Sequence, residues 1–315
     1  MADFVIIPDS SGDVPQALRE RFGVPTYMQG VVYHPDGASE MASTDKTEEE
    51  LKAFYESMTD KKHLYTTATP TMGNVQEVFE SQLSQGKDVL AIALSSGLSG
   101  TYQVCCRVRD ELLLKYPQRK IVCVDSLRFS SGVTLLVAMA YEKQRSGATI
   151  EETAEYLNSI KHRLHQIGPM DDLFFLVRTG RISNFKAFFG SLVGINPMAD
   201  FNRKGLSQVL GKFKGKQKAF DAVIEYMHAT IENPEDQIIF VGHSNRRQAA
   251  EVLAKRIEET FHPKEIIINP IGMACGASIG PGLCAAYYLG KEISEDLAEE
   301  QLIMNNIIAQ QKAKK

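Results

Sequence analysis

Asp88-Val89-Leu90-Ala91-Ile92-Ala93-Leu94-Ser95-Ser96-Gly97-Leu98-Ser99-Gly100-Thr101-Tyr102 is the stretch on which the fold turns. The apolar run from Asp88 to Leu94 reads as a strand buried on both faces, the kind found in parallel sheets. A loop of hydroxyls and glycines follows, and a helix opens near Gly100 and runs to about Lys115. Strand, short loop and helix is the unit from which a parallel sheet covered by helices is assembled.

The same alternation extends in both directions. Upstream, Phe4-Val5-Ile6-Ile7 reads as a first strand, closed by the turn Pro8-Asp9-Ser10-Ser11-Gly12. A short helix spans Pro15 to Phe22, with proline at its start. Val31-Val32-Tyr33 is read as a strand followed by a polar loop. Thr47 and Glu50 form a capping box that opens a helix to Met58, and Asn74 to Gln85 is a helix closed by Gly86. Downstream come a strand at Ile121-Val122-Cys123-Val124, a helix from Ser131 to Arg145, and an amphipathic helix from Thr149 to His165.

The Gly168-Pro169 pair is read as a domain boundary. Beyond it, the pattern predicts a strand from Leu173 to Val177, a loop at Thr179-Gly180-Arg181 and an apolar segment from Phe185 to Ile195. Strands near Pro197–Phe201 and Leu206–Phe213 follow. The rest alternates as helix Gln217–Thr230, strand Gln237–Val241, helix Arg246–Thr260, strand Glu265–Ile268 and helix Pro281–Leu289. The last 25 residues, from Lys291, read as one more amphipathic helix with a basic end. The expectation is an α/β protein of two α/β domains, 1–168 and 169–290, with a helical extension over 291–315. The first domain carries a mainly parallel sheet covered by helices, and in open sheets of this kind the strand ends carry the ligand site.

Composition narrows the function classes. The chain has 315 residues, 43% of them apolar and 23% charged, the profile of a globular protein. No apolar run is long enough to span a membrane. The start Met-Ala-Asp-Phe-Val-Ile-Ile-Pro lacks the basic and apolar regions of a signal peptide and reads as a strand. The five cysteines, Cys105, Cys106, Cys123, Cys275 and Cys284, include no Cys-x-x-Cys pair and read as reduced core thiols. A reducing compartment and a cytoplasmic location are therefore expected. His162 and His165 share a face of the expected Thr149–His165 helix, but with no third ligand nearby no metal site is expected.

Charge is unevenly placed. Between Arg178 and Lys218 lie nine basic residues (Arg178, Arg181, Lys186, Arg203, Lys204, Lys212, Lys214, Lys216 and Lys218) and a single acid, Asp200, in a chain of net charge -4. Such a stretch is either a docking face for an anionic partner or a solvated face.

Two hydroxyl-rich loops carry the candidate chemistry: Tyr65-Thr66-Thr67-Ala68-Thr69-Pro70-Thr71 and Ser95-Ser96-Gly97-Leu98-Ser99-Gly100-Thr101-Tyr102. Each precedes a helix. Free amides, the positive end of the helix dipole and added hydroxyls make an anion cradle there. The same residues also serve as N-caps and turn formers. Neither a Gly-x-x-x-x-Gly-Lys loop nor a Gly-x-Gly-x-x-Gly fingerprint is present, and no Gly-x-Ser-x-Gly elbow marks a nucleophile. His243, at a strand end in Val241-Gly242-His243-Ser244-Asn245, is either a polar contact at the domain junction or an ordinary loop histidine. Phe185, Phe188, Phe189, Leu192 and Val193 suit a core helix or the wall of an apolar tunnel.

Taken in order, these segments resemble the DegV family. Asp9-Ser10-Ser11-Gly12-Asp13-Val14-Pro15 is similar to its Asp-Ser-Thr-Ala-Asp-Leu-Pro, and Thr66-Thr67-Ala68-Thr69-Pro70-Thr71 to its Thr-Thr-Ser-Gln-Pro-Ser. Ser95-Ser96-Gly97-Leu98-Ser99-Gly100-Thr101-Tyr102-Gln103 is similar to Ser-Ser-Lys-Leu-Ser-Gly-Thr-Tyr-Gln. Asp125-Ser126 with Ser131-Gly132, Thr179-Gly180-Arg181-Ile182-Ser183 and Gly280-Pro281-Gly282 complete the series, over about residues 3 to 290.

The resemblance implies a fatty acid buried between two α/β domains, its carboxylate held by Thr67 and Ser99. Arg181 and Ser278 are further candidates at the head group, with Thr66, Ser96, Gly100 and His243 nearby. Ser278 stands where the family carries a histidine, so one head-group partner is changed. The family resemblance also implies a non-catalytic subunit that presents palmitate, stearate or oleate to a separate fatty acid kinase subunit, in phospholipid metabolism. Arg203, Lys212, Lys214 and Lys216 are then the docking residues. No cofactor, no nucleic acid and a monomer are expected. Two other readings compete: an α/β enzyme or binding protein for a phosphorylated small molecule held at the Ser99 helix N-terminus, and a nucleic-acid binder using the basic stretch, which has few aromatic residues for base stacking.

Overall fold

The computed structural model describes residues 4–62, 64–183 and 195–313. Its strands are β1 (Phe4–Pro8), β2 (Val31–Tyr33), β3 (Ser39–Met41), β4 (Thr66–Ala68), β5 (Asp88–Ala93), β6 (Ile121–Asp125), β7 (Leu164–Pro169), β8 (Ile182–Ser183), β9 (Ile195–Phe201), β10 (Ser207–Lys214), β11 (Ile238–His243), β12 (Glu265–Pro270) and β13 (Cys284–Leu289). Its helices are α1 (Gln16–Arg21), α2 (Glu48–Ser57), α3 (Met72–Leu83), α4 (Thr101–Lys115), α5 (Ser131–Arg145), α6 (Ile150–Ile160), α7 (Phe174–Thr179), α8 (Lys216–Thr230), α9 (Arg247–Phe261), α10 (Met273–Ile279) and α11 (Ala298–Ala313).

β5 lies between β1 and β6, and all three run parallel. Val89 to Ala93 of β5 are fully buried, because helices cover both faces of a parallel sheet. β2 pairs antiparallel with β3 and β4 in a small separate sheet. The third sheet has the order β12-β11-β13-β7-β9-β10-β8 and is mixed. One apolar core runs from Phe4 of β1 through α5 to Tyr287 of β13, so the first sheet and the seven-stranded sheet share an interior. α11 packs on α8 and β10, and its Met304 and Ile307 are buried there. Among the described residues no helix is long and apolar enough to cross a membrane.

The mixed α/β architecture agrees with the expectation; several details differ. The helix expected over Thr149–His165 stops at Ile160, and His165 lies on β7, where it shares no helix face with His162. Leu173–Val177, expected as a strand, lies mostly in helix α7, and Pro281–Leu289, expected as a helix, contains strand β13. The boundary expected at 168/169 falls inside β7, which is hydrogen-bonded to β13 and β9. Gly168 is required by packing at that point: a Cβ there would stand 2.1 Å from the Cys284 carbonyl oxygen. The extension from 291 onward is part of the second core, since Ile293 and Leu297 are fully buried. Of the apolar segment Phe185–Ile195, residues 185–194, including Phe185, Phe188, Phe189, Leu192 and Val193, lie outside the described residues, as does Lys186.

Candidate functional site

A cavity of about 180 Å³ opens where the C-terminal ends of β1 and β5, the small sheet and the seven-stranded sheet converge. Its floor follows from strand alternation. Gln166 and Gly168 of β7, Ala199 and Phe201 of β9, and Ala285 and Tyr287 of β13 are spaced by two, so each pair points to one face of the sheet. Phe129, Met170, Leu176, Ile279 and Leu283 close the apolar wall and belong to the main core. Phe129 stacks on Phe201 with ring centroids 5.4 Å apart.

The mouth is polar and is built from three chain segments. Asp9, Ser10 and Ser11 follow β1; Thr67 to Pro70 belong to β4 and the loop after it; Leu98 to Thr101 lead into α4. The two hydroxyl-rich loops lie side by side: a Cβ added at Gly100 would lie 3.8 Å from Thr69 Cγ2. The Gly30 amide donates to Ser10 Oγ at 3.1 Å, and a Cβ on Gly30 would come within 2.9 Å of the Ala68 carbonyl oxygen, so glycine lets these strands close. Ser99 Oγ and Thr101 Oγ1 are 3.0 Å apart at the start of the fifteen-residue α4. The Thr101 amide donates to Ser99 Oγ at 3.4 Å, and the first turn of a helix offers further amides to an anionic head group.

Asp9 frames this mouth. It accepts the Leu94 amide at 2.6 Å and the Ser11 amide at 2.8 Å, as well as the Ser11 hydroxyl. Burial pushes its carboxyl up from the ordinary value against the pull of those bonds. A carboxyl whose ionisation is disfavoured repels a neighbouring anion less.

Thr67, Ser99, Arg181, Ser278 and Gly100 all line the cavity. Thr67 is exposed, while Ser99, Arg181 and Ser278 are half-buried. Arg181 Nε donates to the Leu98 carbonyl at 3.2 Å, and Nη1 donates to that of Thr179, so the side chain also holds the loop that presents Ser99. Gly180 before it adopts the left-handed conformation that ends α7. Ser278 lies on the same face of α10 as Ala274 and Cys275, which also line the cavity.

Three expected neighbours are elsewhere. Thr66, at the start of β4, does not line the cavity. The Ser96 amide is taken by Asp125 Oδ1 at 3.0 Å. His243 lines a different hollow with Tyr55, Arg247 and Pro270. Burial, aided by the Arg247 charge, lowers its pKa to about 4, so it is neutral at pH 7. Thr71 is a cap, accepting the Asn74 amide at 3.1 Å. Of the basic residues, Arg203, Lys212, Lys214 and Lys216 are all exposed, and Arg203 pairs at the surface with Glu292 at 2.9 Å.

Sequence reasoning did not assign Ser10, Ser11, Gly30, Gln166 or Tyr287 to the site. A lone glutamine inside the buried run Leu164–Pro169 is the signal that marks Gln166. Among the described residues no group of three or more His, Cys, Asp or Glu is placed to hold a metal ion.

The sequence model of the DegV family, described as an uncharacterised protein family, matches residues 3–291. The chain belongs to the DegV family. A DegV domain-containing protein of Clostridium perfringens is 34% identical over 290 residues, covering 92% of this chain and 98% of that protein. A DegV lipid binding protein of Thermotoga maritima has TM-score 0.79 at 25% identity, covering 93% of this chain and 99% of that one. A second T. maritima structure, described as revealing a fatty acid binding function, has TM-score 0.77 at 25% identity over 91% and 99% of the two chains. In this DegV protein the three motifs that carry the mouth, Asp9–Ser11, Thr67–Pro70 and Leu98–Thr101, are far apart in sequence and adjacent in space.

Proposed function

We propose that this protein encloses a long-chain fatty acid such as palmitate, stearate or oleate, and catalyses no reaction itself. In this reading the carboxylate sits among Thr67, Ser99 and the α4 amides, with Arg181 and Ser278 at its margin. The observation that carries it is one cavity with two chemistries: hydroxyls and a helix N-terminus at the mouth, core side chains behind. Burying about 14 methylenes at ~0.8 kcal/mol each favours binding by roughly 11 kcal/mol before association costs. The hydroxyls and amides then offset the cost of burying a carboxylate and fix its orientation. The T. maritima relatives described as lipid and fatty acid binding support the same ligand class. A phosphorylated small molecule at the α4 end would leave the wall of Phe129, Phe201 and Leu283 unfilled.

The second part of the proposal is presentation. In this reading the carboxylate end lies at the exposed Thr67, and a separate fatty acid kinase subunit docks on the basic residues Arg203, Lys212, Lys214 and Lys216. No nucleic acid is needed in this scheme, and the protein acts as a monomer in the cytoplasm.

The test is organic extraction of the purified protein followed by mass spectrometry. Near-stoichiometric fatty acid is expected, and Thr67→Ala combined with Ser99→Ala should lower that occupancy severalfold. A protein free of lipid that also fails to take up added oleate would end the proposal; unchanged occupancy in the double variant would remove the head-group assignment.

A further inference from the structure

Not all of the cysteines are core thiols. Cys105, Cys275 and Cys284 are buried, whereas Cys106 and Cys123 are half-buried. The latter two come from different elements. Cys106 lies in the second turn of α4, and Cys123 is the middle residue of β6, the outer strand of the parallel sheet. α4 packs on β6, and there the two thiols meet and hydrogen-bond. Tyr102 and Arg109, one turn to either side of Cys106, share its face of the helix. The Tyr102 hydroxyl donates to the Cys106 sulfur, and the Arg109 guanidinium adds positive charge, partly offset by Asp110, which accepts Arg109 Nε at 2.9 Å.

These partners act in one direction. The hydrogen bond from Cys123, helped by those of Tyr102 and the Arg109 charge, pulls the Cys106 thiol down from its ordinary 9.0 to about 6 against the effect of burial. Cys123 keeps its proton and is pushed up by the same bond. A thiol below neutrality is mostly thiolate at pH 7, the form that reacts. Cys105 next to it is inert by comparison: its thiol donates to Met28 Sδ at 3.4 Å, and burial pushes it up.

We propose that Cys106 and Cys123 are a redox pair, in which a hydroperoxide oxidises Cys106 and Cys123 resolves it into a disulfide that ties α4 to β6. With hydrogen peroxide, the Cys106 thiolate attacks one oxygen and the O–O bond breaks. The sulfur becomes a sulfenic acid, and the departing hydroxide takes a proton from solvent to leave as water. The Cys123 sulfur then displaces the sulfenic oxygen, which leaves with the Cys123 proton as a second water. The two sulfurs give up two electrons, and the peroxide takes them.

The consequence reaches the mouth. Asp125, two residues beyond Cys123 on the same face of β6, accepts the Ser96 amide at 3.0 Å. α4 itself opens at Thr101, 3.0 Å from Ser99 between their hydroxyl oxygens. A link between β6 and α4 braces the Ser95–Gly100 loop from both ends, so fatty acid leaves the oxidised protein more slowly. This consequence rests on the fatty acid reading; the disulfide does not.

The experiment treats the reduced full chain with hydrogen peroxide, blocks free thiols with iodoacetamide, and maps the digested protein by mass spectrometry before and after dithiothreitol. A Cys106–Cys123 peptide that dithiothreitol separates is expected. Cys123→Ser should stop the reaction at a Cys106 sulfenic acid that dimedone captures. In the untreated protein at pH 7, iodoacetamide should alkylate Cys106 at least about tenfold faster than the other cysteines. Release of a fluorescent fatty acid should slow severalfold on oxidation of wild type and not of Cys123→Ser. The pair is overturned if oxidised wild type yields no Cys106–Cys123 peptide, with Cys106 unmodified or carried on to sulfinic acid. A disulfide that forms without slowing release overturns the brace. If the protein binds no fatty acid, the fatty acid reading and the brace fall, and the peptide map still decides the pair.

Discussion

Asp13 Oδ1 accepts the backbone amide of Gly272 at 2.9 Å, joining the turn after β1 to the start of α10 across most of the chain. Asp13 sits in the left-handed backbone region, its other oxygen takes the Ser130 hydroxyl, and its carbonyl takes Asn269 Nδ2 at 2.9 Å. This knot fixes α10, and with it Ala274, Cys275 and Ser278, against the cavity. Burial, with the like charge of Asp9 adding to it, raises the Asp13 carboxyl from its ordinary 3.8 to about 7, although the bonds from Ser130 and Gly272 pull it down. A raised carboxyl contributes stability that is full below its unfolded value and is lost as pH rises through its folded value.

Asp13→Asn keeps the shape and removes the titration. Between pH ~4 and ~7, wild type should therefore lose stability relative to Asp13→Asn, by up to about 4 kcal/mol at ~1.4 kcal/mol per tenfold change. Urea unfolding of both proteins across that range measures the difference directly. A gap that stays constant with pH would show that Asp13 does not titrate there.

Gly168→Ala tests the centre of the seven-stranded sheet. The added Cβ would lie 2.1 Å from the Cys284 carbonyl oxygen and 2.4 Å from Ala285 Cα, both backbone atoms that no rotamer change can move. Overpacking of this kind costs about 1–3 kcal/mol and sometimes more. The variant should melt several degrees below wild type, and it should also lose fatty acid retention because Gly168 lines the cavity floor. An unaltered melting temperature would mean that β7 and β13 slide apart without cost.

The same contact explains how the sequence misleads. Gly168-Pro169 has the composition of a loop, but the glycine is there for close approach between strands. Cys284-Ala285-Ala286-Tyr287-Tyr288-Leu289 looks helical because alanine favours helices; small side chains are needed on β13 because Gly168 packs its backbone against Ala285. Leu173–Val177 is a short apolar run, where periodicity does not separate strand from helix. Asp88–Thr101, by contrast, was legible because a run of apolar residues buried on both faces has few other solutions. At the site, Thr67, Ser99, Gly100, Arg181 and Ser278 were found from motif order, and all line the cavity. Gln166 and Tyr287 were not, since only the pairing of β7 with β13 brings them together.

Met304→Ala tests whether the C-terminal helix belongs to the fold. Met304 is fully buried on α11 against Gly211 of β10, where a Cβ would come within 2.9 Å of Met304 Cγ. Gln301 Nε2 donates to the Leu210 carbonyl at 2.6 Å, and Gln311 Nε2 to that of Lys218 at 3.2 Å. Truncating a buried methionine costs about 2–5 kcal/mol. The variant should unfold at clearly lower urea concentration, and deletion of residues 298–315 should be worse. Wild-type stability in both would make α11 an appendage.

Lys212→Glu combined with Lys214→Glu tests the docking face. On β10, Gly211 and Phe213 are buried and the two lysines between and after them are exposed, with Lys216 opening α8 just beyond. None of the three lysines lines the cavity. If a kinase subunit docks here as proposed, reversing two charges should slow that association and weaken binding about tenfold at low salt, with the gap closing as salt screens the contact. Fatty acid co-purifying with the variant should match wild type, because these side chains lie outside the lipid's enclosure. Loss of lipid with normal kinase binding would place the lysines in ligand retention, and the docking face would have to be sought elsewhere.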